Sequence, residues 1–337
     1  MYEWQRQIQQ IVDEIDQCIK SYNDEALTLR RLSRKLGYSE FYTTRKFKEI
    51  SGMAFREYLR QRKLAFALKE VRDNQKSLLD IAFDYGFSSH EAFTRAFKQM
   101  YGVAPSEYRR CPKPVVLRTR ISPFDRYFLG LGEIGMVKST NEIKTYFVTI
   151  PDHKFLHIKN TQSNGYWDFW QKQSQIPGKD CDTISGLLDS IKGKLDDNGG
   201  SKTDSSSGQV MAYISDPEGR LCDWGFLRSE CYGARLPAEY QGEVPEQMLL
   251  MDVPEAEYLV FEHGPFDYEQ ENRSVEEKVE EAMAHFDFSE TDYSYDTTPG
   301  RVIYFYHDPE RFWKYVRPVK KIKGKTAALI KHRCRCF

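Results

Sequence analysis

A segment near the N-terminus occurs twice, and this repeat constrains the fold more than any other feature of the chain. Among the residues that return unchanged fifty positions later are the pairs Arg45/Arg95, Phe47/Phe97, Lys48/Lys98, Gly52/Gly102 and Tyr58/Tyr108. A fixed period of this kind indicates a duplicated structural unit. In each copy a glycine, Gly37 or Gly86, precedes the arginine-bearing segment, which is the order of helix, turn and second helix in a helix-turn-helix. We therefore predict two such units in one chain.

Helical periodicity and capping residues predict an all-α N-terminal region. The predicted helices cover about residues 1–20, 29–36, 40–51, 55–73 and 90–101, and another begins near Leu78. Ser39 is the expected N-cap of the third helix, and Ser88 or Ser89 that of the last. The 55–73 helix is predicted to join the two units, with its basic residues outward: Arg60, Arg62, Lys63 and Lys69.

The second helix of each unit enters the DNA major groove in helix-turn-helix proteins, so its exposed first turn is where we expect base contacts. Arginine bonds guanine through two N–H groups, glutamate accepts from cytosine, and phenylalanine or alanine can touch a thymine methyl. The expected DNA-binding residues are Phe41, Thr44, Arg45, His90, Glu91 and Arg95.

Charge is distributed unevenly along the chain, although the formal net charge is only −1. Residues 1–120 hold 23 Lys and Arg against 15 Asp and Glu, whereas residues 121–316 hold 18 against 35. Only the N-terminal region has the sign that suits a polyanion. We therefore expect DNA contact to be confined to that region.

The N-terminal region resembles the DNA-binding domain of the AraC/XylS family over residues 5–110. The resemblance is carried by the stretches IAFDYGFSS at 81–89, FTRAFK at 93–98 and GVAPSEYR at 102–109. It implies a monomeric domain whose two recognition helices enter successive major grooves on one face of DNA. It also implies base contacts at the six positions given above. Phe41 and Thr44 are less usual readers in this family, so the operator sequence stays open.

The C-terminal region also contains an internal repeat. Ile150-Pro151 and the strand-like stretch 155–158 are matched about 103 positions later by Val253-Pro254 and the stretch 258–261. A helical stretch follows in each half, and then two strands, at 210–215 and 222–227 in the first half and at 302–306 and 313–316 in the second. We predict a multidomain protein in which the all-α N-terminal domain with two helix-turn-helix units precedes an α+β domain. That domain has two pseudo-symmetric strand-helix-strand-strand halves with a cleft between them.

This second region resembles the GyrI-like effector-binding domain over residues 143–321. The resemblance is carried by residues 252–266 and by the closing stretch 315–321. It implies a cleft that binds lipophilic, often cationic, small molecules, which suits aromatic walls and a buried acid. The candidate ligand-binding residues are Trp167, Trp170, Trp224, Glu230, Glu262, Tyr304, Tyr306 and Trp313. Lys314 stands where an acidic residue is usual in the family, so the charge of the ligand stays open.

The sequence Cys111-Pro112-Lys113-Pro114 cannot extend a helix and marks a boundary. The expected organisation is a DNA-binding domain over 1–111, a linker over 112–142, a small-molecule-binding domain over 143–321 and a basic tail over 322–337, with a mobile loop at 198–208.

Two glycine-containing motifs are rejected as nucleotide sites. The stretch 130–135 reads G-x-G-x-x-G, but the ten residues before the next strand leave no room for the required helix. The stretch 324–326 lacks the earlier glycine of a P-loop. The basic tail is expected to be solvated, with a phosphate contact or docking on the acidic region as alternatives.

The seven cysteines are odd in number and lack C-x-x-C spacing. Neither a signal peptide nor an apolar stretch long enough to cross a membrane is evident. We therefore expect a cytoplasmic protein with reduced thiols, no cofactor and no membrane partner. Cys334 and Cys336 are too few for a zinc site, and we expect ordinary exposed thiols there.

The leading interpretation is a bacterial, ligand-responsive transcription regulator whose partners are double-stranded promoter DNA, a small-molecule effector and RNA polymerase. Activation and repression both stay open. An alternative makes the C-terminal domain a hydrolase of small electrophilic compounds, but neither G-x-S-x-G nor H-E-x-x-H occurs. His157 and His263 are expected to be packed or solvated. An architectural DNA binder is a third interpretation, against which the two arginine-bearing helices speak.

Overall fold

A computed structural model describes residues 2–23, 27–73, 75–124, 142–197, 208–289 and 291–322. These residues divide into two units, which lie within 1–132 together with 182–191, and within 133–181 together with 192–337. The 130–135 motif, most of the 198–208 loop, and the tail from residue 323 with Cys334 and Cys336 lie outside the described residues.

Seven helices form the N-terminal part of the first unit. They are α1 (Glu3–Lys20), α2 (Leu29–Leu36), α3 (Glu40–Ser51), α4 (Phe55–Asp73), α5 (Leu78–Asp84), α6 (His90–Tyr101) and α7 (Pro105–Arg110). The helices predicted from periodicity are confirmed. Ser39 and Ser89 are the N-caps of α3 and α6, since their hydroxyls accept from the backbone N–H groups of Tyr42 and Ala92 at 3.3 and 3.1 Å.

The outward position predicted for Arg62 is wrong. This side chain is 8% exposed and donates to both carboxylate oxygens of Asp16 in α1, while a further N–H reaches the carbonyl oxygen of Arg118. The amphipathic pattern of α4 indicates one buried face, but α1 and the 115–121 segment cover a second side of the helix. A buried arginine is tolerated there because Asp16 supplies its counter-charge.

One antiparallel sheet dominates the second unit. Its strands are β1 (Lys144–Ile150), β2 (His153–Asn160), β3 (Gln209–Leu221), β4 (Leu227–Pro237), β5 (Leu249–Val253), β6 (Ala256–His263), β7 (Tyr293–Tyr295), β8 (Val302–Asp308) and β9 (Phe312–Lys321). The helices between them are α8 (Tyr166–Gln173), α9 (Cys181–Ser190) and α10 (Tyr268–Ala284). The strand order is β1-β6-β9-β8-β3-β4-β2-β5, with β7 paired to β9.

The sheet has the internal symmetry that the sequence repeat predicts. Its strand order reads the same when β1 exchanges with β5, β2 with β6, β3 with β8, and β4 with β9. The first strand of each half pairs with the other half, because β1 lies against β6 and β5 against β2. The halves also meet directly through β3 and β8, as in the pair Ala212 and Tyr304. Within the described residues, therefore, the two halves join in one continuous sheet.

The strand predicted at 222–227 is wrong. Strand β3 continues to Leu221, and residues 222–226 form the hairpin turn, in which the backbone N–H of Cys222 donates to Phe226 at 3.1 Å. Gly225 adopts a φ of +83° there, a conformation that glycine reaches without strain. The partner strand runs instead over Leu227–Pro237, which adds ten positions to the sheet beyond the prediction. Among them is Arg235.

Helix α9 has no counterpart among the predicted elements, and most of it belongs to the first unit. The backbone N–H of Val115 donates to the Ser190 hydroxyl at 3.0 Å, and that of Leu117 to the carbonyl oxygen of Gly186 at 3.3 Å. A guanidinium N–H of Arg72 reaches the carbonyl oxygen of Ser190 at 2.6 Å. A Cβ atom on Gly186 would stand 2.4 Å from the Leu117 carbonyl oxygen, so this close approach requires glycine.

No described helix combines the length and the apolar character that a membrane span requires.

Candidate nucleic-acid interface and ligand-binding surface

Helices α3 and α6 have the same pattern of buried and exposed positions. Position by position, residues 41–50 and 91–100 show the same sequence of buried, half-buried and exposed side chains. The interior positions hold Thr43 and Phe47 in α3, and Phe93 and Phe97 in α6. The exposed positions 41 and 45, and likewise 91 and 95, lie four residues apart and therefore on one face of each helix.

The exposed face of α3 is largely apolar in its first turn. Phe41 is 78% exposed, which is unusual for a phenylalanine. The Thr44 hydroxyl lies 2.9 and 3.0 Å from the carbonyl oxygens of Glu40 and Phe41, so the helix backbone already engages it. The Arg45 guanidinium lies 5.4 Å from the ring centroid of Tyr42, which itself packs on Trp4. Arg45 is thus the main charged hydrogen-bond donor on this face of α3.

The exposed face of α6 is richer in polar groups. Glu91 and Arg95 are exposed and His90 is half-buried. Hydrogen bonds from its own backbone N–H and from the Ser89 hydroxyl hold the pKa of the Glu91 carboxyl below its ordinary value. An ionised carboxylate at a helix N-terminus is also favoured by the helix dipole. This helix therefore presents an acceptor and a bidentate donor one turn apart.

The sheet divides the predicted ligand-binding residues between its two faces, because successive side chains of a strand point to opposite sides. We call the side that carries Tyr146, Tyr258, Tyr304 and Tyr306 the tyrosine face. It also carries Glu262 and Lys314, which are direct neighbours in the β6–β9 register. The apolar side chains of this face form one buried cluster.

The remaining predicted residues lie elsewhere. Trp170 packs on Tyr232 at 4.9 Å and Trp313 on Phe305 at 5.0 Å, both on the opposite face. Trp224 stands beside the guanidinium groups of Arg228 and Arg317, at 4.4 and 4.8 Å.

Glu230 also points to that opposite face. It is 1% exposed, accepts from the backbone N–H of Gly165 at 2.8 Å, and lies 3.6 Å from Arg228. Trp167 is 40% exposed on α8. The eight predicted residues therefore do not line one site, and only Glu262, Tyr304 and Tyr306 share the tyrosine face.

Lys314, which stands where the GyrI-like family usually has an acidic residue, forms ion pairs in the structure. Lys314 is 1% exposed and donates to Asp197 at 2.8 Å, while its ammonium lies 3.4 Å from Glu262. Hydrogen bonding and charge from Asp197 raise its pKa against the opposing effect of burial. Arg311 also donates to Asp197, at 2.9 Å. The acids at this place in the sheet are thus paired with cations of the protein itself.

Both histidines considered as catalytic candidates are buried. His157 stacks on Phe155, and burial lowers its pKa to about 4. His263 is fully buried, with Nδ1 2.9 Å from the carbonyl oxygen of Gly264.

A family model described as a helix-turn-helix domain matches residues 32–111. The regulatory protein SoxS of Salmonella typhimurium is 35% identical to this chain over 101 residues, which are 30% of this chain and 94% of SoxS. The chain belongs to the AraC/XylS family of transcription regulators. The match places both helices α3 and α6 of this AraC/XylS regulator within the family's DNA-binding region.

A second relative, the right origin-binding protein of Escherichia coli K12, is 32% identical over 143 residues. The match covers 42% of this AraC/XylS regulator and only 43% of that relative. The solved structure of SAV2435 bound to tetraphenylphosphonium shares 15% identity, covers 52% of this chain and 94% of that chain, and has a TM-score of 0.34. A TM-score this low supports no inference about the present chain.

Proposed function

We propose that this protein is a sequence-specific transcription regulator that reads promoter DNA with α3 and α6 and responds to a small molecule bound by its C-terminal sheet. The observation that supports DNA binding is the identical pattern of buried and exposed positions in α3 and α6, which lie within one unit. Two helices that expose equivalent faces suit two adjacent major-groove sites. The proposed readers are Phe41, Thr44, Arg45, His90, Glu91 and Arg95, and RNA polymerase is the proposed partner at the promoter.

A binding titration tests the DNA-binding part. An operator is first selected from a random-sequence pool with the full-length protein, and affinity is then measured by fluorescence anisotropy for Arg45→Ala and Arg95→Ala. Each substitution is expected to weaken binding by about 1–3 kcal/mol, since it removes a base contact. Arg273→Ala removes the same charge from an exposed position of α10 and serves as the matched control. Wild-type affinity in both test variants would contradict the assignment.

Ligand binding by the C-terminal sheet rests on the resemblance of residues 143–321 to the GyrI-like domain, and on the buried polar groups of the tyrosine face. The proposed ligand is small and lipophilic, because apolar side chains surround these groups. The ligand would bias regulation by binding one arrangement of the protein more tightly than another.

Helix α9 supports a route by which ligand binding reaches the DNA-binding unit. The chain on both sides of α9 belongs to the second unit, whereas residues 182–191 pack within the first. Their hydrogen bonds join Ser190 to Val115 and to Arg72 of the long helix α4. A shift in the sheet that displaced α9 would therefore pull on α4, which carries both helix-turn-helix units.

Substitution of Ser190 by alanine tests this route. Ser190→Ala removes the acceptor of the Val115 N–H and is expected to reduce any ligand-dependent change in operator affinity, while leaving affinity without ligand near wild type. Ser174→Ala, at the exposed C-cap of α8, is the matched control. An unchanged ligand response in Ser190→Ala would exclude this contact as part of the coupling.

A further inference from the structure

The guanidinium of Arg235 in β4 is buried on the tyrosine face. The side chain is 1% exposed, and one N–H donates to the carbonyl oxygen of Asp196. Within the described ranges, its Nε and Nη1 atoms are buried without a hydrogen-bond partner. Among the described residues no carboxylate forms an ion pair with it. A guanidinium cannot escape this cost by losing its proton, and a buried charge without a counter-ion is strongly unfavourable.

Two further hydroxyls lie near the ring of Tyr304, which is also close to Arg235. Arg235 lies 5.0 Å from the ring centroid of Tyr304, and the rings of Tyr258 and Tyr306 are 6.4 and 6.5 Å from that ring. The hydroxyls of Tyr258 and Tyr306 are buried and have no hydrogen-bond partner in the part of the chain that the structure describes. Burial raises the pKa of Tyr258 to about 12, so its phenol keeps its proton and remains a donor.

The remaining polar groups nearby are already satisfied. Nδ1–H of His153 donates to the carbonyl oxygen of Pro151 at 2.8 Å, and Nε2 accepts from the Tyr304 hydroxyl at 2.6 Å. Burial and the charge of Arg235 lower the pKa of His153 to about 4, so this histidine is neutral at pH 7. The cluster therefore offers free donors from Arg235, Tyr258 and Tyr306, and what it needs is an acceptor.

The charged groups near the tyrosine face also favour an anionic ligand. Asp197 and Glu262 are neutralised by Lys314 and Arg311. Lys159 is paired with Asp216 at 3.0 Å. Arg235, by contrast, forms no ion pair with a carboxylate among the described residues. Its charge would repel a cationic ligand and attract an anionic one.

We propose that the ligand is an anionic amphiphile, an apolar or aromatic body bearing a carboxylate, and that Arg235 binds the carboxylate. Tyr258 and Tyr306 donate to the same group. The body packs among the apolar side chains of this face, which include Phe155, Val253 and Val260. The inference rests on the proposed ligand-binding function and specifies its chemistry.

Three probes of one shape and different charge test this proposal on the full-length protein. They are 2-naphthoate, the neutral 2-naphthamide and the cationic 2-naphthylmethylammonium, each titrated while the melting temperature is followed. A bound ligand raises the melting temperature by mass action. We expect 2-naphthoate to bind more tightly than either other probe by about 10- to 100-fold, the range for hydrogen bonds to a charged group.

Variants then identify the residue. Arg235→Met is expected to lose the response to 2-naphthoate, and to melt higher than wild type without ligand because a buried unpaired charge is removed. Tyr258→Phe removes only a hydroxyl and is expected to weaken the response with the fold intact. Arg273→Met, on the exposed side of α10, is the control.

The outcomes separate this inference from the function it rests on. Tighter binding of the cation, or an unchanged 2-naphthoate response in Arg235→Met, would overturn the anionic site while leaving ligand binding in place. No stabilisation by any of the three probes would contradict the proposed ligand-binding function itself.

Discussion

The two helix-turn-helix units share a pattern of buried and exposed positions but differ in the side chains at those positions. In α6 the interior holds Phe93 and Phe97, whose rings stand 5.6 Å apart. In α3 the position equivalent to Phe93 is Thr43, which is fully buried and whose hydroxyl has no hydrogen-bond partner among the described residues. At the exposed face α3 is instead the more apolar helix, because it exposes Phe41 where α6 exposes Glu91.

Burial at each position has thus been retained after duplication, while the side chains at both interior and surface have diverged. The second helix-turn-helix unit combines more aromatic contacts around its core phenylalanine with the more polar exposed helix face. The comparison suggests that this unit contributes more to both stability and sequence discrimination, and each part can be tested separately.

The largest expected difference concerns the two core phenylalanines. Phe97 packs against the rings of Phe93, Tyr101 and Tyr108, whereas Phe47 packs against those of Phe55 and Tyr58. Phe→Ala at a buried site costs about 3–5 kcal/mol, and an aromatic pair adds about 0.5–1.5 kcal/mol. We expect Phe97→Ala to lower the free energy of unfolding more than Phe47→Ala in urea denaturation. An equal or larger cost for Phe47→Ala would contradict the ranking of the two cores.

The next largest effect concerns the paired arginines. Arg95→Ala and Arg45→Ala are each expected to weaken operator binding by about 1–3 kcal/mol, with the greater loss for Arg95. Its helix also presents Glu91 and His90, so a displaced α6 loses more contacts. A base-by-base operator scan in anisotropy titrations shows which half-site each variant affects. Stronger base preferences in the half-site of α3 would reverse the assignment.

A smaller effect of opposite sign is expected at Thr43. Thr43→Val replaces the buried unpartnered hydroxyl by a methyl group and is expected to raise the free energy of unfolding by about 1 kcal/mol. Thr44→Val is the control, since the Thr44 hydroxyl already bonds to the helix backbone and gains nothing from removal. Thermal denaturation of both variants measures the difference. A destabilised Thr43→Val protein would show that the hydroxyl has a partner in solution.

The smallest expected effect is confined to one base pair. Glu91→Gln turns an acceptor-only group into one that also donates, so the preference for cytosine at its contact position is expected to weaken while overall affinity changes little. Competition binding with operators that vary at that position measures the change. Glu107→Gln on exposed α7 is the control, and an equal shift in both variants would remove Glu91 from the readers.

Local elements of the N-terminal unit could be predicted because their signals are local. Ser39 and Gly37 mark helix ends through their own backbone preferences, and the 55–73 helix ends where its apolar period ends. The place of Arg62 could not be predicted in this way. Its burial depends on Asp16, which is 46 positions away in sequence and meets it only when α1 packs on α4.

The proposed ligand site likewise combines features that local sequence predicts with contacts that only the fold determines. The aromatic and acidic residues on the candidate list were identifiable by type, but their grouping depends on strand register. Arg235 is absent from the candidate list because the predicted strand ends at residue 227, whereas β4 runs on to Pro237. A strand boundary at Leu227 with strict alternation from Cys231 would have placed Arg235 on the same face.

The sequence by itself determined the duplicated helix-turn-helix units, the family, the separation of basic and acidic regions, and the internal repeat of the sheet. These properties depend on short-range periodicity, on capping and on charge, which are local in the chain. Only the tertiary structure decided that Lys314 neutralises Asp197 and Glu262, that Arg235 has no counter-ion among the described residues, and that α9 joins the DNA-binding unit. Each of these depends on which distant residues the packing brings together, and desolvation makes the presence or absence of a partner decisive there.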